Sequence, residues 1–150
     1  MHDIVLAPGL GTAQGVQTVF AGELKAFRPH QNCSTARQDC RKNGVLLYCK
    51  SYDLDDGAYK EIARAGGAAV FAFADLLCEK GFRRAITISK MRLALGACRR
   101  MGCDFVFATL ASKAIQLRTD KELEAFMAMA GLGEGEMKHS QKVLAKAVGI

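Results

Sequence analysis

The fold is decided by residues 68–110, which read AAVFAFADLLCEKGFRRAITISKMRLALGACRRMGCDFVFATL. The first part, Ala68 to Ala74, is apolar throughout rather than alternating, which is typical of a strand covered on both faces. A helix follows from about Arg83 to Met101, with apolar side chains at helical spacing along one face. Cys103 to Leu110 is again a buried strand. A helix between two buried strands predicts parallel pairing, with the helix packed outside the sheet.

Two more strands are expected on the amino-terminal side of this unit. Asp3 to Ala7 and Gly44 to Lys50 are short, apolar and rich in branched side chains. Residues Arg28 to Asn43 between them are polar and are expected to form a loop or a short surface helix. The complete pattern predicts an α/β fold of parallel β/α units.

Further helices are expected after the strand at Gly44 to Lys50 and after the strand at Cys103 to Leu110. Asp53, Asp55 and Asp56 precede the first of these helices and could mimic a calcium loop, but acids at a helix start fit the helix dipole better. Thr119 and Glu122 have the spacing of a capping box, and a last helix is expected from about Glu134.

Length and composition bound the kind of protein. The chain has 150 residues and a mass of 16.2 kDa, of which 50% are apolar and 24% charged, so residues 1–150 are expected to form one folded domain. The longest uncharged apolar run, Gly66 to Ala74, is too short to cross a bilayer. The amino-terminal stretch lacks the positive flank of a signal peptide, and we therefore expect a cytoplasmic protein.

Six cysteines are scattered along the chain without a C-x-x-C pair. This spacing favours buried reduced thiols over a disulfide or a zinc site, and no metal ligand or cofactor is assigned from the sequence. If any two of the cysteines form a disulfide, Cys33 and Cys40 are the candidates.

Positive charge is concentrated in residues 80–118. This window has nine basic side chains and one acid, Asp104, whereas the rest of the chain has 12 basic and 14 acidic residues. The net charges are therefore +8 and −2. Arginine-rich charge confined to one segment suits phosphate oxygens, so the window is either a solvated helix surface or a nucleic-acid interface.

Gly9, Gly11 and Gly15 follow the first strand and could form a phosphate-binding loop. A flexible turn, a nucleotide-binding loop and a contact with an RNA backbone are all compatible with this spacing. No second strand with a ribose-binding acid is evident, which is against a dinucleotide site.

The sequence gives little support to the hypothesis that this chain is itself an enzyme. The three histidines stand alone, and neither a Walker loop nor a G-x-S-x-G elbow occurs. Asp75 follows one strand and Asp104 begins the next, so they are expected at opposite ends of the sheet and unable to act as an acid/base pair. No catalytic residue is assigned.

Residues from about Gly67 to Ile150 resemble the ribonuclease P protein component 3 family, the archaeal relatives of a eukaryotic ribonuclease P and MRP subunit. The segment RRAITISKMRLALGACRRMG resembles the basic crossover helix of that family, and LRTDKELEAFMAMAGLGEGEMKHSQKVLAKAV resembles its closing pattern. The positions that match the pattern residue by residue are Thr109, Ala111, Arg118, Leu123, Gly131 and Lys138. The chain departs from the family pattern at Leu110, Asp120 and Glu122.

The resemblance implies a TIM-barrel-like architecture. An eight-unit barrel typically needs about 250 residues, and this chain has room for about four or five units. We therefore expect a reduced or incomplete barrel, or one completed by another chain.

The resemblance also implies a non-catalytic, RNA-binding subunit of ribonuclease P, in which the RNA performs the cleavage. The expected partners are ribonuclease P RNA, precursor tRNA and ribonuclease P protein component 2, and a homo-oligomer is a further possibility. Rival functions are a small metal-dependent hydrolase and a phosphate- or nucleotide-binding domain. The residues expected to contact RNA phosphates are Arg83, Arg84, Arg92, Arg99, Arg100, Lys113 and Arg118.

Overall fold

The computed structural model describes residues 1–149, and these residues form an α/β fold in which every paired strand is parallel. The six strands of this part of the chain are β1 (His2–Val5), β2 (Gln17–Phe20), β3 (Phe27–His30), β4 (Leu46–Cys49), β5 (Ala68–Ala72) and β6 (Asp104–Ala108). The α-helices are α1 (Cys33–Ala36), α2 (Asp56–Arg64), α3 (Phe73–Leu77), α4 (Gly81–Met101), α5 (Asp120–Met129) and α6 (Glu134–Ala147). Ile150, the last residue of the expected domain, lies outside the described residues.

The strands form a four-stranded sheet in the order β3-β4-β5-β6 and a two-stranded sheet of β1 and β2. Backbone hydrogen bonds join the two sheets, since the N–H of Leu110 donates to the carbonyl of Ile4 at 3.0 Å and that of Leu6 to Ala111 at 2.7 Å. These bonds place β1 beside the end of β6. Within residues 1–149 no pairing joins β2 to β3, and no closed barrel is seen.

The expected fold class is confirmed, but β2 and β3 were not predicted. Each has only four residues, and β3 contains Pro29, which cannot donate a backbone hydrogen bond. Because β3 pairs with β4 alone, this proline lies on an edge strand, where it is tolerated. The strand expected to reach Ala74 ends at Ala72, since Phe73 already begins α3.

The core lies between the sheet and the helices that cover it. Phe71 of β5 and Phe107 of β6 stack with ring centroids 4.8 Å apart, and Phe126 of α5 meets Phe107 edge-on at 5.1 Å. Met91 and Leu95 present the expected apolar face of α4 to this core and are each 1% exposed.

Helix boundaries follow from the capping residues. The side chain of Asp55 accepts a hydrogen bond from the N–H of Ala58 at 2.8 Å, so Asp55 caps α2 as expected. The capping box of Thr119 and Glu122 at the start of α5 is also confirmed. Gly102 ends α4 in the left-handed conformation with φ of 66°, which favours glycine.

The expectation of reduced thiols throughout is wrong for two cysteines. Cys33 forms a disulfide with Cys49, not with Cys40, and joins the turn after β3 to the end of β4. The spacing of 16 residues carries no signal in the sequence, because β3 and β4 must first pair before the two sulfurs meet. The free cysteines in residues 1–149 are Cys40, Cys78, Cys98 and Cys103, of which only Cys78 is exposed.

None of the helices in residues 1–149 has both the length and the apolar character that a membrane crossing requires.

Candidate nucleic-acid interface

The direction of α4 decides where its basic side chains lie. Because α4 connects the parallel strands β5 and β6, it runs back along the sheet from the carboxyl end of β5 to the amino end of β6. Arg83 and Arg84 therefore lie at the carboxyl edge of the sheet. Arg99 lies 16 residues further along the helix, about 24 Å away along its axis, towards the amino edge.

Arg118 lies at the same carboxyl edge as Arg84, although it follows a different strand. The guanidinium of Arg84 donates to the carbonyls of Leu76 at 3.0 Å and Glu79 at 2.9 Å. That of Arg118 lies over the ring of Phe73, 5.5 Å from its centroid. Phe73 and Leu76 both belong to α3, so both arginines contact this five-residue helix.

An open cleft of about 340 Å³ lies against α3 and has Arg84 in its lining. Its walls are mostly apolar, with Arg84 and Glu122 as the charged side chains, and the other lining residues are Phe73, Leu76, Leu77, Ala125, Phe126 and Met129. The carboxylate of Glu122 is 3.5 Å from the guanidinium of Arg118. This geometry leaves one cationic group, Arg84, in the wall of the cleft and a second on its rim.

Arg83 and Lys113 are two of the exposed cations at this edge. Arg83 is one turn from the start of α4, and Lys113 follows β6 by five residues. Neither side chain forms an ion pair with any of the residues that the structure describes. Both charges are therefore available to a ligand in solution.

The remaining three arginines bind α4 to the neighbouring helices α5, α6 and α2. Arg92 donates to the carbonyl of Met129 at 2.8 Å, and Arg99 makes two hydrogen bonds to Glu136, at 2.9 and 2.7 Å. Arg100 pairs with Asp56 at 3.0 Å.

The ion pair between Arg99 and Glu136 shifts the pKa of both groups. Its hydrogen bond to Glu136 raises the pKa of the guanidinium. The same bond lowers the pKa of the Glu136 carboxyl, against the opposing effect of its partial burial. The seven basic residues of the sequence prediction thus do not share one surface. Four lie at the carboxyl edge, Arg92 donates to a backbone carbonyl midway along α4, and Arg99 and Arg100 are paired with carboxylates towards the amino edge.

Sequence reasoning missed a buried polar cluster at the carboxyl end of β4 and β5. Asp75 is 8% exposed and accepts hydrogen bonds from the hydroxyls of Tyr48, at 2.7 and 2.8 Å, and Tyr52, at 2.7 Å. Burial raises the pKa of Asp75, although the tyrosine hydrogen bonds oppose it. Tyr52 has a φ of 52°, an uncommon backbone conformation for a bulky residue, and its hydroxyl also accepts from the N–H of Ala72.

A second buried carboxylate links β1 to the end of β6. Asp3 is 1% exposed and accepts from both the N–H and the hydroxyl of Thr109, each at 2.6 Å. Burial again raises the pKa of this carboxyl, against the hydrogen bonds from Thr109. The oxygens of Asp3 and Asp75 are thus occupied by protein donors. Asp75 and Asp104 lie at opposite ends of the sheet as expected.

The glycine loop after β1 forms part of an open pocket of about 310 Å³. Gly9 and Gly11 have φ of 71° and 84°, which glycine adopts readily, and Gly15 has 75°. The charged residue in the lining is Glu23, and the described lining contains no lysine or arginine. An acid in this position does not favour a phosphate group.

One cluster in residues 1–149 has the composition of a metal site. It consists of Cys33, Cys49 and Asp53, whose potential ligand atoms all lie within 4.8 Å of one another. This cluster lies at the end of β4, on the strand next to the basic edge formed by β5 and β6.

Comparison with known families and proteins gives no further assignment, since no family model matches the chain and no curated protein resembles it significantly.

Proposed function

We propose that this protein is an RNA-binding, non-catalytic subunit of ribonuclease P that supports 5′-end maturation of tRNA by the catalytic RNA. The proposal joins two independent lines of support. One is the resemblance of residues 67–150 to the component 3 family. The other is the basic charge at the carboxyl edge of the sheet.

The observation that carries the proposal is the convergence of Arg84 and Arg118 on α3, with Arg83 and Lys113 exposed beside them. Ligands of open α/β sheets bind at the carboxyl ends of the strands, which is where these side chains lie. Arginine and lysine at such an edge neutralise phosphates, release counterions and so favour RNA folding and binding. No base-specific contact is part of the proposal.

The proposed RNA surface therefore comprises Arg83, Arg84, Lys113 and Arg118. Arg99 and Arg100 are left outside it because they are paired with carboxylates near the other end of α4. Arg92 is left outside it because it lies midway along α4 and donates to the carbonyl of Met129. An RNA phosphate would have to displace Glu136 from Arg99 and Asp56 from Arg100, and each displaced carboxylate would then repel the RNA backbone.

A protein partner is supported by an exposed apolar stripe on α4. Phe82 is 80% exposed and Leu93 is 73% exposed, and both lie with Ile86 on one side of the helix. In the proposed complex, ribonuclease P protein component 2 covers this stripe, and a second copy of the chain is the alternative occupant.

Reconstitution tests the proposal directly. Precursor tRNA is incubated with the catalytic RNA and component 2, with and without this protein, at limiting magnesium concentration. We expect this protein to increase the cleavage rate in the presence of the RNA and to produce no cleavage alone. The double variant Arg83→Ala/Lys113→Ala should give less stimulation, and Arg99→Ala/Arg100→Ala serves as the matched control with the same loss of charge.

Two outcomes would overturn the proposal. Cleavage of precursor tRNA by the protein alone would favour the hydrolase alternative. Absence of any effect on the reconstituted reaction, from protein shown to be folded by circular dichroism, would remove ribonuclease P as its function.

A further inference from the structure

Two sulfur atoms, a hydroxyl and a carboxylate meet where β4 ends. The Oγ of Ser51 is 3.3 Å from the Sγ of Cys33 and 3.3 Å from the Sγ of Cys49. The same hydroxyl donates a hydrogen bond to Asp53 at 2.5 Å. Ser51 thus lies between the two sulfurs and the carboxylate.

The fold fixes this arrangement from two directions. Cys49 is the last residue of β4, and the register places it beside His30, the last residue of β3. The turn after β3 then returns Cys33, the first residue of α1, to within 5.9 Å of Cys49 between Cα atoms. Cys49 is buried, Cys33 is half-buried and Asp53 is exposed, so the cluster opens to solvent on the side of the carboxylate.

Two thiolates and a carboxylate form a donor set that suits zinc. Tetrahedral zinc holds sulfur at about 2.3 Å and carboxylate oxygen at about 2.0–2.2 Å, which places neighbouring donor atoms roughly 3.5–3.8 Å apart. The three donors already lie within 4.8 Å of one another. Once the sulfur–sulfur bond is broken, side-chain rotation suffices to reach this spacing.

His30 does not supply a fourth ligand. Its Nε2 is 2.7 Å from the carboxylate of Asp39, and its Nδ1 is 3.1 Å from the hydroxyl of Thr35. Both ring nitrogens are therefore occupied. The fourth position of a tetrahedral ion remains for water, on the exposed side of the cluster.

We propose that the reduced form of this protein binds one Zn²⁺ through Cys33, Cys49 and Asp53, and that the disulfide form does not. Reduction of the disulfide takes two electrons and two protons from a dithiol reductant, which becomes a disulfide itself. Zinc then binds the two thiolates, and their protons are released to solvent. Neither the RNA surface nor the resemblance to a family enters this proposal.

The site has a structural consequence in either state. The disulfide and the zinc ion would each tie the turn after β3 to the end of β4, and β4 is the one strand that pairs with β3 in residues 1–149. A reducing compartment keeps the cysteines as thiols, and zinc then replaces the covalent link.

Zinc binding to the full-length protein tests the proposal. Protein reduced with an excess of a phosphine is titrated with Zn²⁺ against a chromophoric chelator, and protein oxidised to the disulfide is titrated in parallel. We expect one zinc ion per reduced chain and none per oxidised chain. Loss of an outer-shell partner costs about 10–100-fold in metal affinity, so loss of a direct ligand in Cys49→Ser or Asp53→Asn should cost at least about 100-fold.

Cys78→Ser is the matched control, because Cys78 is a free and exposed cysteine outside the cluster. This variant should bind zinc as the unaltered protein does. Asp53→Asn should not disturb folding, since the side chain is exposed and the change is isosteric. A loss of zinc binding in this variant therefore reports the loss of a ligand. The proposal is overturned if reduced protein binds no zinc, if Asp53→Asn and Cys49→Ser bind it unchanged, or if Cys78→Ser loses it.

Discussion

At the scale of single residues, the buried carboxylates are the most constrained groups of the molecule. Asp75 holds Tyr48 and Tyr52 together, and these side chains come from β4, from the turn after it and from α3. A buried carboxylate is tolerated here because each of its oxygens accepts a hydroxyl hydrogen bond. The cluster therefore ties β4, the turn after it and α3 together at the edge of the sheet.

Replacement of Asp75 by alanine should destabilise the protein strongly. The substitution leaves the buried Tyr48 hydroxyl without its acceptor, and an unsatisfied buried polar group costs about 1–3 kcal/mol. Together with the cavity, we expect a loss of about 2–5 kcal/mol in the free energy of unfolding, measured by urea denaturation. Asp75→Asn retains an oxygen acceptor and should lose less; an equal loss in both variants would contradict this account of the cluster.

The raised pKa values of Asp3 and Asp75 predict a dependence of stability on pH. Because the folded form binds these protons more tightly, the contribution to stability is complete below the unfolded pKa of about 3.9. It is lost as the pH rises from there through the folded pKa of each group. Relative to Asp75→Asn, the unaltered protein should therefore become less stable as the pH rises above about 4, by about 1.4 kcal/mol for each unit of pKa shift.

Urea denaturation of both proteins across this pH range measures the difference. A difference in stability between the two proteins that does not change in this direction as the pH rises would show that burial does not raise the pKa of Asp75.

At the scale of the elements, α4 has two faces with opposite roles. Leu95 is 1% exposed and packs in the core, whereas Leu93, two residues earlier, is 73% exposed. Both are leucines in the same helix, so their substitution by alanine separates burial from helix propensity.

Leu95→Ala should lower the free energy of unfolding by about 2–5 kcal/mol, the range for a buried leucine. Leu93→Ala should change it by about 0.5 kcal/mol or less, the range for surface positions. Thermal or urea unfolding of the isolated protein measures both. Comparable losses would mean that the exposed stripe of α4 is covered in solution, for example by a second copy.

The elements also show what a sequence can and cannot predict. The strand at Ala68, the helix α4 and the capping box at Thr119 were predictable because their signals are local: continuous apolarity, helical spacing and a cap. The strands β2 and β3 were not, since four residues carry too little pattern and pairing with a neighbour decides their conformation. The disulfide of Cys33 and Cys49 depends on that same pairing.

The basic side chains show the same limit at the site. The distribution of charge along the sequence identified residues 80–118 as basic. It could not show that Arg83 and Arg84 lie at the carboxyl edge of the sheet whereas Arg99 and Arg100 are paired with carboxylates. That division depends on the direction of α4 and on where Glu136 and Asp56 lie in space.

At the scale of the whole molecule, the parallel strands run from β2 through β1 and β6 to β3, and in residues 1–149 β2 does not pair with β3. The segments that follow the carboxyl ends of these strands carry Arg83 and Lys113, the buried tyrosine cluster and the cysteine pair. Arg99 and Arg100 lie towards the amino ends. The function proposed for this protein therefore belongs to one edge of the sheet.

The most direct measurement of this claim is the salt dependence of binding to ribonuclease P RNA. Removal of one phosphate-binding cation should reduce the slope of log K against log salt by about one. We predict that Arg83→Ala/Lys113→Ala flattens the slope by about two, while Arg99→Ala/Arg100→Ala, with the same change in net charge, leaves it unchanged. The account is contradicted if the two double variants flatten the slope equally, or if only the second one does.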